Sequence, residues 1–147
     1  MINNYFIDTS ALFKRYFPER GTEQIDDIFN EANSTFYISD ITIIEIVSNL
    51  KRKNEITREL NNEIYSKIKK EFFNDIAHEN IKTVGIFSEN IIKAITLIDK
   101  KYVTPLDSIQ LATALQLNSE LQNIVFVCSD KKLSDLAQEY GIKTIII

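Results

Sequence analysis

The chain alternates short apolar runs with longer stretches in which apolar residues recur every three or four positions. The short runs, over 2–7, 34–38, 81–86, 124–128 and 144–147, have the length and β-prone content of strands. The run from Ile124 to Cys128 is apolar throughout, which predicts a strand covered on both faces. The periodic stretches predict helices over 9–17, 22–32, 40–53, 57–76, 88–101, 105–117 and 131–140. In the fourth of these, Leu60, Ile64, Ile68 and Phe72 recur four apart, the mark of an amphipathic helix. Punctuation supports the boundaries. Pro18 stops the first helix, Asn54-Glu55 breaks the third, and Ser88 is placed to cap the fifth. Thr104 followed by Pro105 reads as an N-cap with proline at the first helical position, and Gly141 ends the last helix. Strands separated by helices predict an α/β protein, a three-layer sandwich around a mainly parallel sheet. No repeat and no linker composition divides the chain, so residues 1–147 are expected to form one domain.

Composition narrows the chemistry. Hydrophobic residues at 44% and charged residues at 26% allow a proper core and exclude a disordered chain. With Gly 3 and Pro 2, an all-β protein of many tight hairpins is excluded as well. Cys128 and His78 are the only residues of their types, so an internal disulfide, a thiolate zinc site and a Cys–His nucleophile are not expected. No basic leader precedes an apolar run, and no uncharged stretch approaches the ~18 residues that cross a bilayer, so the expectation is a cytoplasmic protein. The net charge of -4 argues against a broad basic footprint for nucleic acid. Clusters such as Lys14-Arg15 and Lys51-Arg52-Lys53 still allow a local basic rim.

Four acidic residues stand where acid is not the cheapest choice. Asp8 and Asp130 each follow an apolar strand, and ligand sites in open parallel sheets form outside the carboxyl ends of strands. If those strands are neighbours, both carboxylates aim at one place. Asp107 lies in the first turn of its helix, on the face of Leu111 and Ala114. Glu45 lies beside a core stripe of Ile43, Ile46, Val47 and Leu50, within reach of Asn49 or Arg52. Plainer roles exist for each: Asp8 and Asp130 can cap helices, Asp107 can favour a positive helix end, and Glu45 can pair on a wet face. Convergence would have a physical consequence. Two carboxylates ~4 Å apart in a partly buried site repel by roughly 4 kcal/mol, which a proton or a cation must relieve. An all-oxygen set suits Mg²⁺ or Mn²⁺, ions that serve phosphodiester hydrolysis.

In this order the residues resemble the PIN-domain nucleases, and among them the VapC-type toxins. The likeness is carried by Phe6-Ile7-Asp8-Thr9-Ser10-Ala11-Leu12, by Ser39 to Leu50 with its helical Glu45, by Leu106-Asp107-Ser108-Ile109-Gln110-Leu111-Ala112-Thr113-Ala114, and by Val127-Cys128-Ser129-Asp130-Lys131-Lys132-Leu133 with Ala137 and Gly141. The resemblance implies that Asp8, Glu45, Asp107 and Asp130 form a catalytic acidic set. Asp8 and Asp107 would be direct ligands of a divalent metal, while Asp130 and Glu45 act through water or place a second ion. Thr9 and Ser10 would orient Asp8 or bind water. Many members carry His where this chain has Gln110, here read as a packing or hydrogen-bonding position. Members often carry Ser or Thr where this chain has Cys128. The resemblance further implies a ribonuclease that cuts RNA, a homodimer, and an antitoxin that blocks the site. Arg52, Lys14 and Arg15 are candidates for phosphate contact. The amphipathic helix over 57–76 offers a dimer or antitoxin surface, or simply faces the core. Two other readings stand beside the toxin: a PIN-like protein that binds a partner or RNA without cutting, and a PIN nuclease of RNA processing with no antitoxin. A phosphotransfer domain of the haloacid-dehalogenase kind would want a second Asp where Ser10 stands.

Overall fold

Five strands, β1 (Asn3–Ile7), β2 (Ser34–Ser39), β3 (Lys82–Val84), β4 (Ile124–Cys128) and β5 (Lys143–Ile146), form one sheet in the order β3-β2-β1-β4-β5. Every neighbouring pair is parallel. This is the arrangement in a computed structural model that describes residues 1–147. The connecting helices are α1 (Thr9–Tyr16), α2 (Thr22–Phe29), α3 (Asp40–Glu55), α4 (Asn62–Ala77), α5 (Ser88–Lys100), α6 (Pro105–Leu121) and α7 (Lys131–Glu139).

Side chains alternate across a strand, so β1 sends Tyr5 and Ile7 to one face and Phe6 to the other. The first face packs against α1 to α4 through Leu12, Ile25, Ile46, Leu50 and Phe72. The second packs against α5 to α7 through Leu97, Leu111, Ala114, Leu133 and Leu136. These are the three layers expected from the alternation of strands and helices. No helix is long and apolar enough to cross a membrane.

The strand order decides which loops meet. β1 and β4 are neighbours at the centre of the sheet, in a register that pairs Ile7 with Val127. Their carboxyl ends therefore coincide, and the residues just beyond them share one crevice. Phe6 and Phe126, both fully buried, stack across this pair with ring centroids 6.0 Å apart. Phe126→Ala is expected to cost about 4 kcal/mol of unfolding free energy in a urea titration, because the cavity lies against a sheet that cannot collapse into it.

Several boundaries differ from the sequence reading. The helix expected from residue 57 begins at Asn62, capped by Asn61, whose side chain accepts from the Ile64 backbone N–H at 2.8 Å. Leu60 is buried all the same, because the Asn54 amide donates to its carbonyl at 3.1 Å and pins the loop to α3. Phe87, not Ser88, is the N-cap of α5; its N–H is held by Asn90 Oδ1 at 2.7 Å. α6 continues to Leu121 and ends where Gln122 turns left-handed, at φ 64°. α2 stops at Phe29, and β3 keeps only Lys82–Val84 of the run expected over 81–86. On α3 the buried stripe is Thr42, Ile46, Leu50 and Asn54, while Ile43 and Val47 are only partly covered.

Candidate active site

Asp8 is the first residue beyond β1. It is 5% exposed, and its N–H donates to the Val127 carbonyl of the neighbouring strand at 2.8 Å. It caps α1: the Ser10 hydroxyl donates to Asp8 Oδ2 at 2.6 Å and the Ser10 N–H reaches the same oxygen at 3.4 Å. The Ser10 oxygen in turn accepts from the Ser129 N–H at 3.1 Å, tying the end of β4 to the start of α1. Asp130 caps α7, taking the Leu133 N–H on Oδ1 at 3.2 Å. Thus the capping roles expected of both aspartates are real. They engage one oxygen of each: the bonds to Asp8 all fall on Oδ2 and that to Asp130 on Oδ1.

Asp107 enters from α6, one turn after the Thr104 cap, whose hydroxyl oxygen accepts the Asp107 N–H at 3.3 Å. Glu45 enters from α3. Neither Asn49 nor Arg52 holds it. The Thr9 hydroxyl donates to Glu45 Oε1 at 2.9 Å, and the Gln110 amide lies 3.5 Å from the same oxygen. The supporting roles therefore divide: Ser10 serves Asp8, and Thr9, expected beside it, serves Glu45 instead.

Electrostatics ties these carboxylates together. Burial pushes Asp8 up to about 6, the Ser10 hydroxyl works against this, and the charges of Asp107 and Glu45 add to the rise. Glu45 is raised by burial, against the Thr9 bond and with the Asp107 charge. Asp107 is raised by burial, against Thr104 and with the Asp130 charge. Asp8, Glu45 and Asp107 thus act on one another, and Asp130 acts on Asp107, at the carboxyl end of the sheet. No three His, Cys, Asp or Glu side chains are grouped closely enough to hold an ion as they stand. The cluster is looser than the tight pocket that the sequence suggests.

The donor set still suits a hard cation. Its available atoms are carboxylate oxygens. Cys128 is buried, and burial together with the nearby Asp8, Asp130 and Asp107 charges pushes its thiol up to about 12, so it stays protonated and is a poor ligand. His78 is exposed at the end of α4, held by the Asn74 carbonyl at 2.8 Å, and takes no part. Glu45 and Asp107 are both half-buried.

The basic candidates do not gather here. Lys14 pairs with Glu19 at 3.1 Å. Arg15 pairs with Asp26 at 3.2 Å and lies over the Phe29 ring, 4.2 Å from its centroid. Arg15 also borders Ser34 and Thr35 at the start of β2, the end of the sheet opposite Asp8. Arg52 is exposed two turns beyond Glu45, beside a groove of about 620 Å³ between α3 and α4. Two residues at the site have no counterpart in the sequence reading: Ser39 and Thr42, both fully buried, at the junction of β2 and α3. The available signal is a pair of small hydroxyl residues at the start of the helix that carries Glu45.

The chain resembles solved structures of low sequence identity along nearly its full length. The DNA-bound VapBC of Salmonella typhimurium is 14% identical with a TM-score of 0.63, over 99% of this chain and 98% of that one. VapBC2 of Rickettsia felis, bound to a promoter DNA fragment, is 12% identical with a TM-score of 0.65, over 97% and 98%. FitAcB of Neisseria gonorrhoeae is 14% identical with a TM-score of 0.65, over 96% of each chain. No curated protein matches the sequence. The sequence itself matches the PIN domain family over residues 5–139, which spans all four acidic positions of the site. The chain belongs to the PIN-domain family.

Proposed function

We propose that this protein is a divalent-metal-dependent endoribonuclease, the toxin of a type II toxin–antitoxin pair, acting in the cytoplasm. The observation that carries the reading is Asp8: a nearly buried carboxylate at the central strand end, raised to about 6 and acted on by Asp107 and Glu45. A fold gains nothing from burying mutually repelling acids unless a cation or a proton relieves them. Asp8, Asp107 and Asp130 would hold Mg²⁺ or Mn²⁺, with Glu45 beside them. When bound, such an ion activates water and stabilises the charge on an attacked phosphate. The chain's own contribution is positional. Ser10 fixes Asp8 and leaves its Oδ1 free of protein donors, and Thr9 turns Glu45 inward. In this reading ionised Glu45 would accept a proton from the attacking water.

An antitoxin partner is supported by structural neighbours that include a toxin–antitoxin complex from Klebsiella pneumoniae. On this chain the groove between α3 and α4, lined by Ile43, Ile44, Val47, Ile56, Tyr65 and Phe73, offers an apolar seat for a partner segment. The exposed α5 residues Ile92 and Ile95 offer a face for a second copy. The looser spacing of the carboxylates favours one other reading, a PIN domain that binds a partner or RNA without cutting it.

Incubation of the purified protein with single-stranded and structured RNA decides between them. Cleavage that requires Mg²⁺ or Mn²⁺ and stops on chelation is expected; intact RNA under all conditions would favour the binding module. For the toxin role, induced expression in a bacterium should arrest growth with the wild type and not with Asp8→Asn. Equal growth of the two strains would remove that role.

A further inference from the structure

Gln110 is 1% exposed and sits one turn beyond Asp107 on α6. Its amide is the centre of a hydroxyl network that joins four elements, α1, β2, α3 and α6. Ser39 Oγ donates to Gln110 Oε1 at 2.7 Å. Gln110 Nε2 donates to Thr42 Oγ1 at 2.7 Å and to Thr9 Oγ1 at 3.1 Å. The two threonine hydroxyls are 3.0 Å apart, and Thr9 Oγ1 donates to Glu45 Oε1 at 2.9 Å. The amide has one sensible orientation. Flipped, its oxygen would stand 3.5 Å from Glu45 Oε1, two acceptors facing each other in a buried place. Donation therefore runs one way: from Ser39, through Gln110 and Thr9, to Glu45. A threonine oxygen that already accepts from the amide has its own proton free to point at the carboxylate.

We propose that Gln110 is a positioning residue for Glu45, holding the Thr9 hydroxyl as a donor so that the Glu45 carboxylate faces the acidic crevice. This role rests on the metal-nuclease reading of the site. A glutamine suits the task because its donor and acceptor ends are fixed and it adds no charge to a crowded acidic site. Partners that orient a ligating or catalytic group typically change activity or metal affinity about 10–100-fold when lost.

The test is a double-mutant cycle read in two ways: kcat and KM for RNA cleavage, and Mn²⁺ affinity by calorimetry. Gln110→Met keeps the volume and removes the polar ends; Gln110→Glu keeps the shape and replaces the donor with an acceptor. Each is expected to lower kcat at least tenfold with KM little changed, and to weaken Mn²⁺ binding. In a Glu45→Gln background, Gln110→Met should cost almost nothing further in either readout. A Gln110→Met that acts equally in both backgrounds, or that lowers thermal stability without touching Mn²⁺ affinity, would overturn the positioning role alone. A wild type that neither binds Mn²⁺ nor cuts RNA would overturn the nuclease reading, and the positioning role with it.

Discussion

Asp8→Asn is expected to lower metal-dependent RNA cleavage by at least a thousandfold, about 4 kcal/mol of transition-state stabilisation, while making the metal-free protein more stable. The two effects have one cause. Asp8 is almost fully buried and its carboxyl is raised from 3.8 to about 6, with burial the largest contribution and Asp107 and Glu45 adding to it. Asparagine keeps the oxygen that accepts from Ser10 and removes the charge. For a group raised on folding, the favourable contribution is complete below the unfolded value and is lost as pH rises through the folded one. Metal-free wild type is therefore penalised above about pH 6, by ~3 kcal/mol if the whole shift is expressed. Urea titrations at pH 8 should show Asp8→Asn more stable by roughly 2–3 kcal/mol, and the gain should vanish near pH 4. A variant that cuts RNA at the wild-type rate would remove Asp8 from the reaction. A variant that is less stable at pH 8 would show that its cap, and not its charge, dominates.

The second large effect is the response to the ion itself. A divalent cation that binds only the folded protein adds about 2.7 kcal/mol at a hundred times its dissociation constant. For a chain of this size that raises the melting temperature by roughly 5–10 °C. The rise should be present at pH 8, where Asp8 is ionised, and nearly absent at pH 4.5, where protons occupy the same carboxylate. Asp8→Asn should show little rise at either pH. Differential scanning calorimetry with Mn²⁺, Mg²⁺ and a chelator reads all of this. An equal rise in wild type and variant would place the ion elsewhere on the surface.

The fold is legible wherever a local signal carries it. Thr104-Pro105 opens α6, and the continuous run of β4 announces a strand buried on both sides. The limits are equally physical. Leu60 shares the period of Ile64, Ile68 and Phe72, so the pattern extends α4 by more than a turn, but the Asn54 side chain brings Leu60 to the core from a loop. Periodicity reports burial and does not separate these two routes to it. Strand order is not a local property, and the adjacency of β1 and β4 that unites Asp8 with Asp130 emerges only in the assembled sheet.

At the site, the acids can be picked out because they break a pattern, each standing at a strand end, at a helix start or beside an apolar stripe. Their partners cannot. Ser39, Thr42 and Thr9 are common residues in common places until Gln110, remote in sequence, arrives between them. Helical spacing offers Glu45 neighbours on its own helix, whereas its partners come from α1 and α6. Basic pairs mislead for the opposite reason. Lys14 and Arg15 adjoin the Asp8 segment in sequence, but α1 carries them down the sheet, where they meet Glu19 and Asp26.

The proposed chemistry requires that carboxylates distant in sequence share a divalent ion at the ends of β1 and β4. Anomalous diffraction from crystals of the full chain grown with Mn²⁺ at pH 8 tests this directly. A manganese peak ligated by Asp8 Oδ1 and Asp107, absent in crystals of Asp8→Asn grown alike, is the predicted result. Manganese bound only at other surface carboxylates, with the Asp8 and Asp107 side chains turned apart, would contradict it.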